Sequence, residues 1–217
     1  LNAGDEALKN NNKNHLSAVY SSIATVYNAL GDTKTATSYL KKEIEFQKNP
    51  EILKSRTDTS LLATSIHNLG YFYISMNEPD SAIIYLNESE ELFEKINYEM
   101  AIAYVLGNKG LAYAQLKDYN RAEKYLNNAF QTFEKNGHFL GMCEFAIEIS
   151  DIYLVRNDFE RASESAYKSL DLAMEHSLKS EISEANLQLS KINEQTGNDK
   201  QAMKFYKNHV IYRDSVI

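Results

Sequence analysis

Cysteine, proline and tryptophan are almost missing from this chain. Its 217 residues contain one cysteine, two prolines and no tryptophan. Because Cys143 is alone, no disulfide can form within the chain. Apolar runs stay far below the ~18–20 residues of a membrane span, and no signal peptide opens the chain. With so few residues that end helices, the composition is typical of a soluble helical segment.

Basic clusters and the short motifs of catalysis are missing as well. The formal net charge is −7, which argues against nucleic acid as a direct partner of this segment. The chain has no glycine-rich phosphate loop, no His-Glu-x-x-His and no Cys-x-x-Cys. Its five histidines lack the spacing of metal ligands. We therefore expect no enzyme activity, no cofactor, no metal, and no contact of this segment with nucleic acid or membrane.

What the chain does contain is a repeat, seen most fully in residues 108–130. An alanine recurs at intervals of 46, 40, 40 and 40 residues. A tyrosine stands nine residues before four of the five alanines, and a small residue stands three before that. Only the fifth repeat lacks the tyrosine, with Asn193 in its place. The alanines are Ala36, Ala82, Ala122, Ala162 and Ala202, the tyrosines are Tyr27, Tyr73, Tyr113 and Tyr153, and the small residues are Ala24, Gly70, Gly110, Ser150 and Ser190.

Each position of the repeat has a physical reason. The alanine fits where the second helix of a hairpin crosses the first, because interaxial distances of about 8–10 Å leave little room. The small residue is its facing partner on the first helix. The tyrosine contributes a large buried ring. One hairpin buries only one face of each helix, so neighbouring hairpins must stack to close the core.

This order of residues resembles the tetratricopeptide repeat. The resemblance implies an all-α fold, a right-handed superhelical solenoid of antiparallel helix pairs. The period of 40, against ~34 in the commonest form, is similar to the long-helix branch of the family. That branch includes kinesin light chains, quorum-peptide receptors of Gram-positive bacteria, and the sensor regions of Bacteroidetes membrane-anchored regulators.

The spacing predicts one array over residues 1–217. The six extra residues of the first interval fall within 47–59, which we interpret as a surface insertion, with a lid over a ligand as the alternative. The predicted elements are a partial helix at 1–9 and repeats at 16–48, 58–96, 98–136, 139–176 and 180–217.

In the family that the chain resembles, the first helices line a groove that chooses the partner. According to the repeat spacing, twelve residues of this chain stand at positions that correspond to the groove: Thr25, Asn28, Thr64, His67, Tyr71, Tyr104, Leu111, Gln115, Glu144, Asp151, Glu184 and Lys191. The same columns also include Ala18, Ser21, Ile74, Gly107, Ile147, Leu154, Leu187 and Glu194.

These side chains predict a groove that is neutral and aromatic at its start and acidic at its end. Ser21 and Thr25 stand where the family's carboxylate clamp would need cationic or amide groups. A cationic or apolar peptide, or a flat protein surface, fits this charge better than an acidic tail. Glu144, Glu148 and Asp151 share one helix face near His138 and Cys143, which we interpret as a solvated face or an acidic groove wall and not as a metal or acid–base site.

The last dozen residues, 206–217, look like the stretch that follows the last repeat in the Bacteroidetes regulators. The apolar residues of the second helix of the fifth repeat exceed what one helix can bury against its hairpin partner: Phe205, Tyr206, Val210, Ile211, Val216 and Ile217. Large uncovered patches mark interaction sites. We therefore expect a weak homodimer through residues 203–217.

Together these patterns predict a protein- or peptide-binding module. The resemblance implies the sensor or scaffold region of a larger bacterial signalling protein, in the periplasm. A cytoplasmic receptor of the quorum-peptide type, or a general assembly scaffold, is the alternative. An enzyme accessory domain is the third hypothesis, for which the sequence supplies no catalytic residues.

Overall fold

The computed structural model describes residues 13–215, with side-chain burial from residue 16 onward. This part of the chain is all α-helical, which confirms the predicted fold class. The predicted partial helix at 1–9, and Val216 and Ile217, lie outside the described residues. The ten helices of the described part are α1 (Lys13–Ala29), α2 (Thr33–Gln47), α3 (Arg56–Ser75), α4 (Pro79–Lys95), α5 (Glu99–Gln115), α6 (Tyr119–Asn136), α7 (Phe139–Val155), α8 (Phe159–Glu175), α9 (Lys179–Gln195) and α10 (Asp199–Asp214).

Most connections between the helices share one backbone feature. In eight of the nine connections a residue with positive φ stands just after a helix end, at Gly31, Asn77, Asn97, Lys117, Gly137, Asn157, Ser177 or Gly197. A left-handed residue there ends a helix and reverses the chain. The exception is the connection from α2 to α3, where the insertion lies.

Acidic and hydroxyl side chains cap the first turn of several helices. Asp32, Asp118 and Asp158 each accept a hydrogen bond from the backbone N–H three residues on, at 3.0 to 3.2 Å. Ser55 and Asp58 form a reciprocal capping box at the start of α3. These side chains accept hydrogen bonds from N–H groups that have no partner within the helix. Each of these helices therefore begins at a defined residue.

The chain forms two compact units, one that ends at Gln115 and one that begins at Leu116. In the first unit, α1 to α5 pack each against the next in chain order. Its core centres on α3, whose Leu62, Ala63, Ile66 and Leu69 are at most 2% exposed. In the second unit, α6 to α10 pack likewise, and α7 also contacts α9.

The small residue and the alanine of the repeat meet within the hairpins, as predicted. Ser150 donates its hydroxyl hydrogen to the carbonyl oxygen of Ala162 at 2.7 Å, and Ser190 donates to Ala202 at 2.9 Å. In the second repeat the small residue is Gly70, where an added Cβ would lie 2.8 Å from a Leu86 carbon. Helices therefore approach too closely at this column for a larger side chain.

A second column joins the helices of a hairpin near the other end. Ser89 donates to the carbonyl oxygen of Ala63 at 2.8 Å, and Ser169 donates to that of Cys143 at 3.0 Å. Ser150, Ser89 and Ser169 are fully buried, so each hydroxyl must find its partner inside the protein. In the hairpin of α7 and α8, the hydrogen bonds of Ser150 and Ser169 thus join the two helices at two separated points.

Candidate functional site

The structure places all twelve candidate groove residues at the surface of their own unit. In the first unit, Thr25, Thr64, Tyr71 and Gln115 are exposed, and Asn28, His67, Tyr104 and Leu111 are half-buried. In the second, Glu144, Glu184 and Lys191 are exposed and Asp151 is half-buried. The further groove positions Ile74, Gly107 and Leu154 are buried, so predicting them as groove wall was wrong. Helical spacing alone does not show which side chains neighbouring helices cover.

His67 and Asn108 form the most constrained contact among the first-unit candidates. Asn108 Nδ2 lies 2.7 Å from His67 Nε2, and a ring N–H of His67 bonds to the backbone of Tyr104. Burial lowers the pKa of His67 to about 4, so the ring is neutral at neutral pH. This histidine therefore holds α3 and α5 together.

The second unit contains an acidic pocket of about 270 Å³ between α7, α8 and α9. It opens beside two of the predicted groove residues, Glu144 and Glu184. Two further carboxylates enter from the same helices, so four negative groups share the lining. The lining residues are Cys143, Glu144, Ile147, Glu148, Ser169, Ser180, Glu181 and Glu184.

Glu148 is the most perturbed carboxyl group of this pocket. Burial, together with the neighbouring charge of Asp151, raises its pKa to about 7, although Lys191 opposes the shift. The pKa of Glu144 is raised by burial and by Glu181. These carboxylates thus repel one another in a partly desolvated space, and a cation placed among them would relieve the repulsion.

Cys143 supplies no nucleophile to the pocket. The thiol is 1% exposed and lies 3.6 Å from the carbonyl oxygen of Ser169. Burial and the charge of Glu181 raise its pKa to about 11, so it stays protonated at neutral pH. The pocket can hold a positive group, but nothing in its lining is arranged for covalent chemistry.

The three acidic residues that share a helix face, Glu144, Glu148 and Asp151, have different surroundings in the structure. Glu144 and Glu148 line the pocket, whereas Asp151 Oδ1 accepts a 2.7 Å hydrogen bond from Gln188 Nε2. His138 accepts a hydrogen bond from the N–H of Gly141 and caps α7. Within residues 13–215, no group of three or more histidine, cysteine or carboxylate side chains is placed to hold a metal ion.

Sequence reasoning missed Glu181, Ser180 and Ser169 as pocket residues. Glu181 stands one helical turn before Glu184 on α9, so the acidic face of that helix was visible in the sequence. Ser169 belongs to the second helix of its repeat, where the family pattern predicts only packing. Its position beside the pocket depends on how α8 lies against α7 and α9.

The repeats of the chain match a known family in two places. Residues 63–96 and 103–136 match the family model of the tetratricopeptide repeat, and these stretches lie within the second and third predicted repeats. These two stretches are thus similar to tetratricopeptide repeats, and together they make up less than half of the chain. No curated protein matches the chain in sequence. No helix of residues 13–215 is long and apolar enough to cross a membrane.

Solved structures show the same fold at low sequence identity. BtubC (BKLC) from P. vanneervenii superposes with a TM-score of 0.76 at 18% identity, over 98% of this chain and 87% of that one. The Rap conjugation gene regulator of plasmid pLS20, solved with the Phr* peptide, gives 0.77 at 10% identity, over 91% and 53%. A Rap protein complexed with competence and sporulation factor gives 0.68 at 14%, over 98% and 73%. The fold class is therefore that of a tetratricopeptide-like repeat protein.

Proposed function

We propose that this chain is a non-enzymatic binding module whose acidic pocket receives a basic side chain of a protein or peptide. The observation that carries the proposal is the pocket itself, with Glu144, Glu148, Glu181 and Glu184 around one opening. Lysine and arginine present a charge at the end of an apolar stem, and Ile147 offers a surface for that stem. The ligand's charge would replace the water that the carboxylates now attract.

The fold comparison supports a peptide as the ligand class. Two of the similar solved structures contain Rap proteins, one in complex with the Phr* peptide and one in complex with competence and sporulation factor. At these identities the comparison concerns the fold alone. The charge of the pocket in this chain is what selects a basic segment over an acidic one.

Calorimetry with matched peptides tests the proposal. One peptide carries two adjacent lysines in a glycine–serine frame, and the other carries glutamines in their place. We expect binding of the lysine peptide only, and a roughly tenfold loss for Glu181→Gln, equivalent to about 1.4 kcal/mol. Glu164→Gln, an exposed change on α8, is the matched control and should bind as the parent does. Equal binding of both peptides would contradict the proposal.

At the level of the whole protein, we propose the sensor or scaffold region of a larger bacterial signalling protein. The resemblance of residues 206–217 to the Bacteroidetes regulators supports this proposal. The same resemblance implies a periplasmic location. The likeness to the Rap regulator solved with the Phr* peptide favours a cytoplasmic peptide receptor as the second candidate. Reading the coding sequence beyond Ile217 separates the two, because a membrane span followed by a kinase or DNA-binding domain would support only the first.

A further inference from the structure

The outer face of α10 differs from the same face of α8, one repeat earlier. On α8, Ala166 and Leu170 are 0% and 9% exposed, and α9 packs against that helix. The residues 40 positions later are Tyr206, which is 48% exposed, and Val210, which is half-buried. Met203 adds a further side chain that is 55% exposed. Within the described residues, an apolar strip on α10 is thus left uncovered.

The strip has the spacing of a helix-pairing seam. Asp199, Met203, Tyr206, Val210 and Arg213 follow one another at intervals of four, three, four and three residues. That alternation keeps side chains along one line of a helix and is the spacing found where two helices pair. Phe205 and Ile211, which the sequence grouped with this surface, lie elsewhere: Phe205 contacts the Tyr167 ring, with centroids 6.2 Å apart.

The two ends of the strip carry opposite charges. At its start, a pocket of about 280 Å³ is lined by Glu194 and Asp199 together with Met203 and Tyr206. At its end, Arg213 forms an ion pair with its neighbour Asp214, and both side chains are more than half exposed. An exposed pair of this kind contributes little and is readily exchanged for a better one.

We propose that a second copy of this chain covers the strip, with the two α10 helices antiparallel about a two-fold axis near Tyr206. In that pairing Met203 faces Val210 of the other copy, and Arg213 of each copy enters the pocket formed by Glu194 and Asp199 of the other. A two-fold interface requires a surface that complements itself. Asp199 at the start of the strip and Arg213 at its end satisfy that requirement, whereas a parallel pairing would place like charges together.

This inference goes beyond the proposed function, because the acidic pocket of α7 to α9 takes no part in it. It also refines the homodimer expected through residues 203–217 by adding Glu194 and Asp199. The strip is short, and small interfaces are weak. We therefore expect monomer at low micromolar concentration and dimer as the concentration approaches millimolar.

Charge reversal tests the pairing. Sedimentation velocity of the 217-residue chain should show a concentration-dependent dimer, lost in both Asp199→Arg and Arg213→Glu. An equimolar mixture of the two variants should recover the dimer, because both contacts between positions 199 and 213 in the mixed dimer then join opposite charges. Lys204→Glu, on the opposite side of α10, is the control and should dimerise as the parent does.

Three outcomes would overturn the proposal: a parent chain that stays monomeric throughout, variants that dimerise as the parent does, or a mixture that fails to recover the dimer. Circular dichroism checks that each variant keeps its helices. If Asp199→Arg loses α10, Glu194→Arg, which stands on α9, makes the same reversal.

Discussion

Gln47 stands one helical turn after Glu43 on α2, and its amide nitrogen donates to Glu43 Oε1 at 3.2 Å. The same oxygen accepts hydrogen bonds from Ser17 and Ser65, on α1 and α3. Glu43 Oε2 and Gln47 Oε1 find no partner within the described residues, although both side chains are at least 95% buried. Two acceptors with no donor in a buried site are costly.

The first prediction concerns Glu43. Burial raises its pKa, so the folded state holds a proton that the unfolded state releases, and stability should fall as pH rises above the ordinary pKa of 4.5. Glu43→Gln supplies an amide that can donate to Gln47 Oε1. We expect a higher melting temperature at pH 8, by about 2–4 °C for each kcal/mol gained, and little gain at pH 4.

The matched control for this change is Glu45→Gln, an exposed position on the same helix. Its melting temperature should follow the parent at both pH values. A Glu43→Gln protein that melts below the parent at pH 8 would show that the carboxylate is stabilised by a partner.

A second prediction concerns the close packing between Ser150 and Ala162. Ala162→Leu should destabilise the protein by about 1–3 kcal/mol, because extra methyl groups in a tight crossing force side chains or backbone to move. Glu164→Leu, two residues away on the exposed side of α8, should stay within roughly 0.5 kcal/mol. Urea unfolding of both variants measures the difference, and equal midpoints would contradict the assigned repeat columns.

The third prediction concerns the ion pair of Lys109 with Glu90. The Lys109 side chain is 4% exposed and that of Glu90 is 21% exposed. Glu90→Gln should cost about 3 kcal/mol, because it leaves a buried positive charge behind, whereas Glu90→Leu with Lys109→Met should recover most of that loss. Glu90→Leu, Lys109→Met and the double variant form a double-mutant cycle when they are compared by thermal unfolding, and additive losses would speak against coupling of the two charges.

The fourth prediction concerns the pH dependence of ligand binding. Glu148 has a pKa of about 7 in the free protein, and a bound cation favours its charged form. Affinity for the lysine peptide should therefore rise between pH 6 and pH 8 and then level off. Glu148→Gln should flatten that rise. A parent affinity that is constant over this range would exclude Glu148 as a ligand-facing carboxylate.

The repeat spacing was sufficient to predict the fold class, and single residue types account for several helix ends. Asp118 and Gly137, for example, do what their residue types do at any helix end, because capping depends on local backbone geometry. The acidic character of α7 and α9 was visible in the same way.

What the sequence did not reveal depends on packing between helices. Lys109 stands in a column that holds Leu69, Ile149 and Leu189 in other repeats, and nothing nearby along the chain shows that Glu90 meets it. Asp151 is another case, because Gln188, the residue that engages it, lies 37 positions away. Such contacts follow from the arrangement of helices, which a single sequence specifies only indirectly.

The hydroxyl contacts of Ser89 and Ser169 reach main-chain atoms, and this affects how such a protein can change. The accepting position is alanine in one repeat, Ala63, and cysteine in another, Cys143, since any residue supplies the carbonyl. A block of 40 residues cut at the same column carries both donor and acceptor with it. Gene duplication or deletion can thus lengthen or shorten the array by whole blocks, and these hydrogen bonds need no compensating substitution.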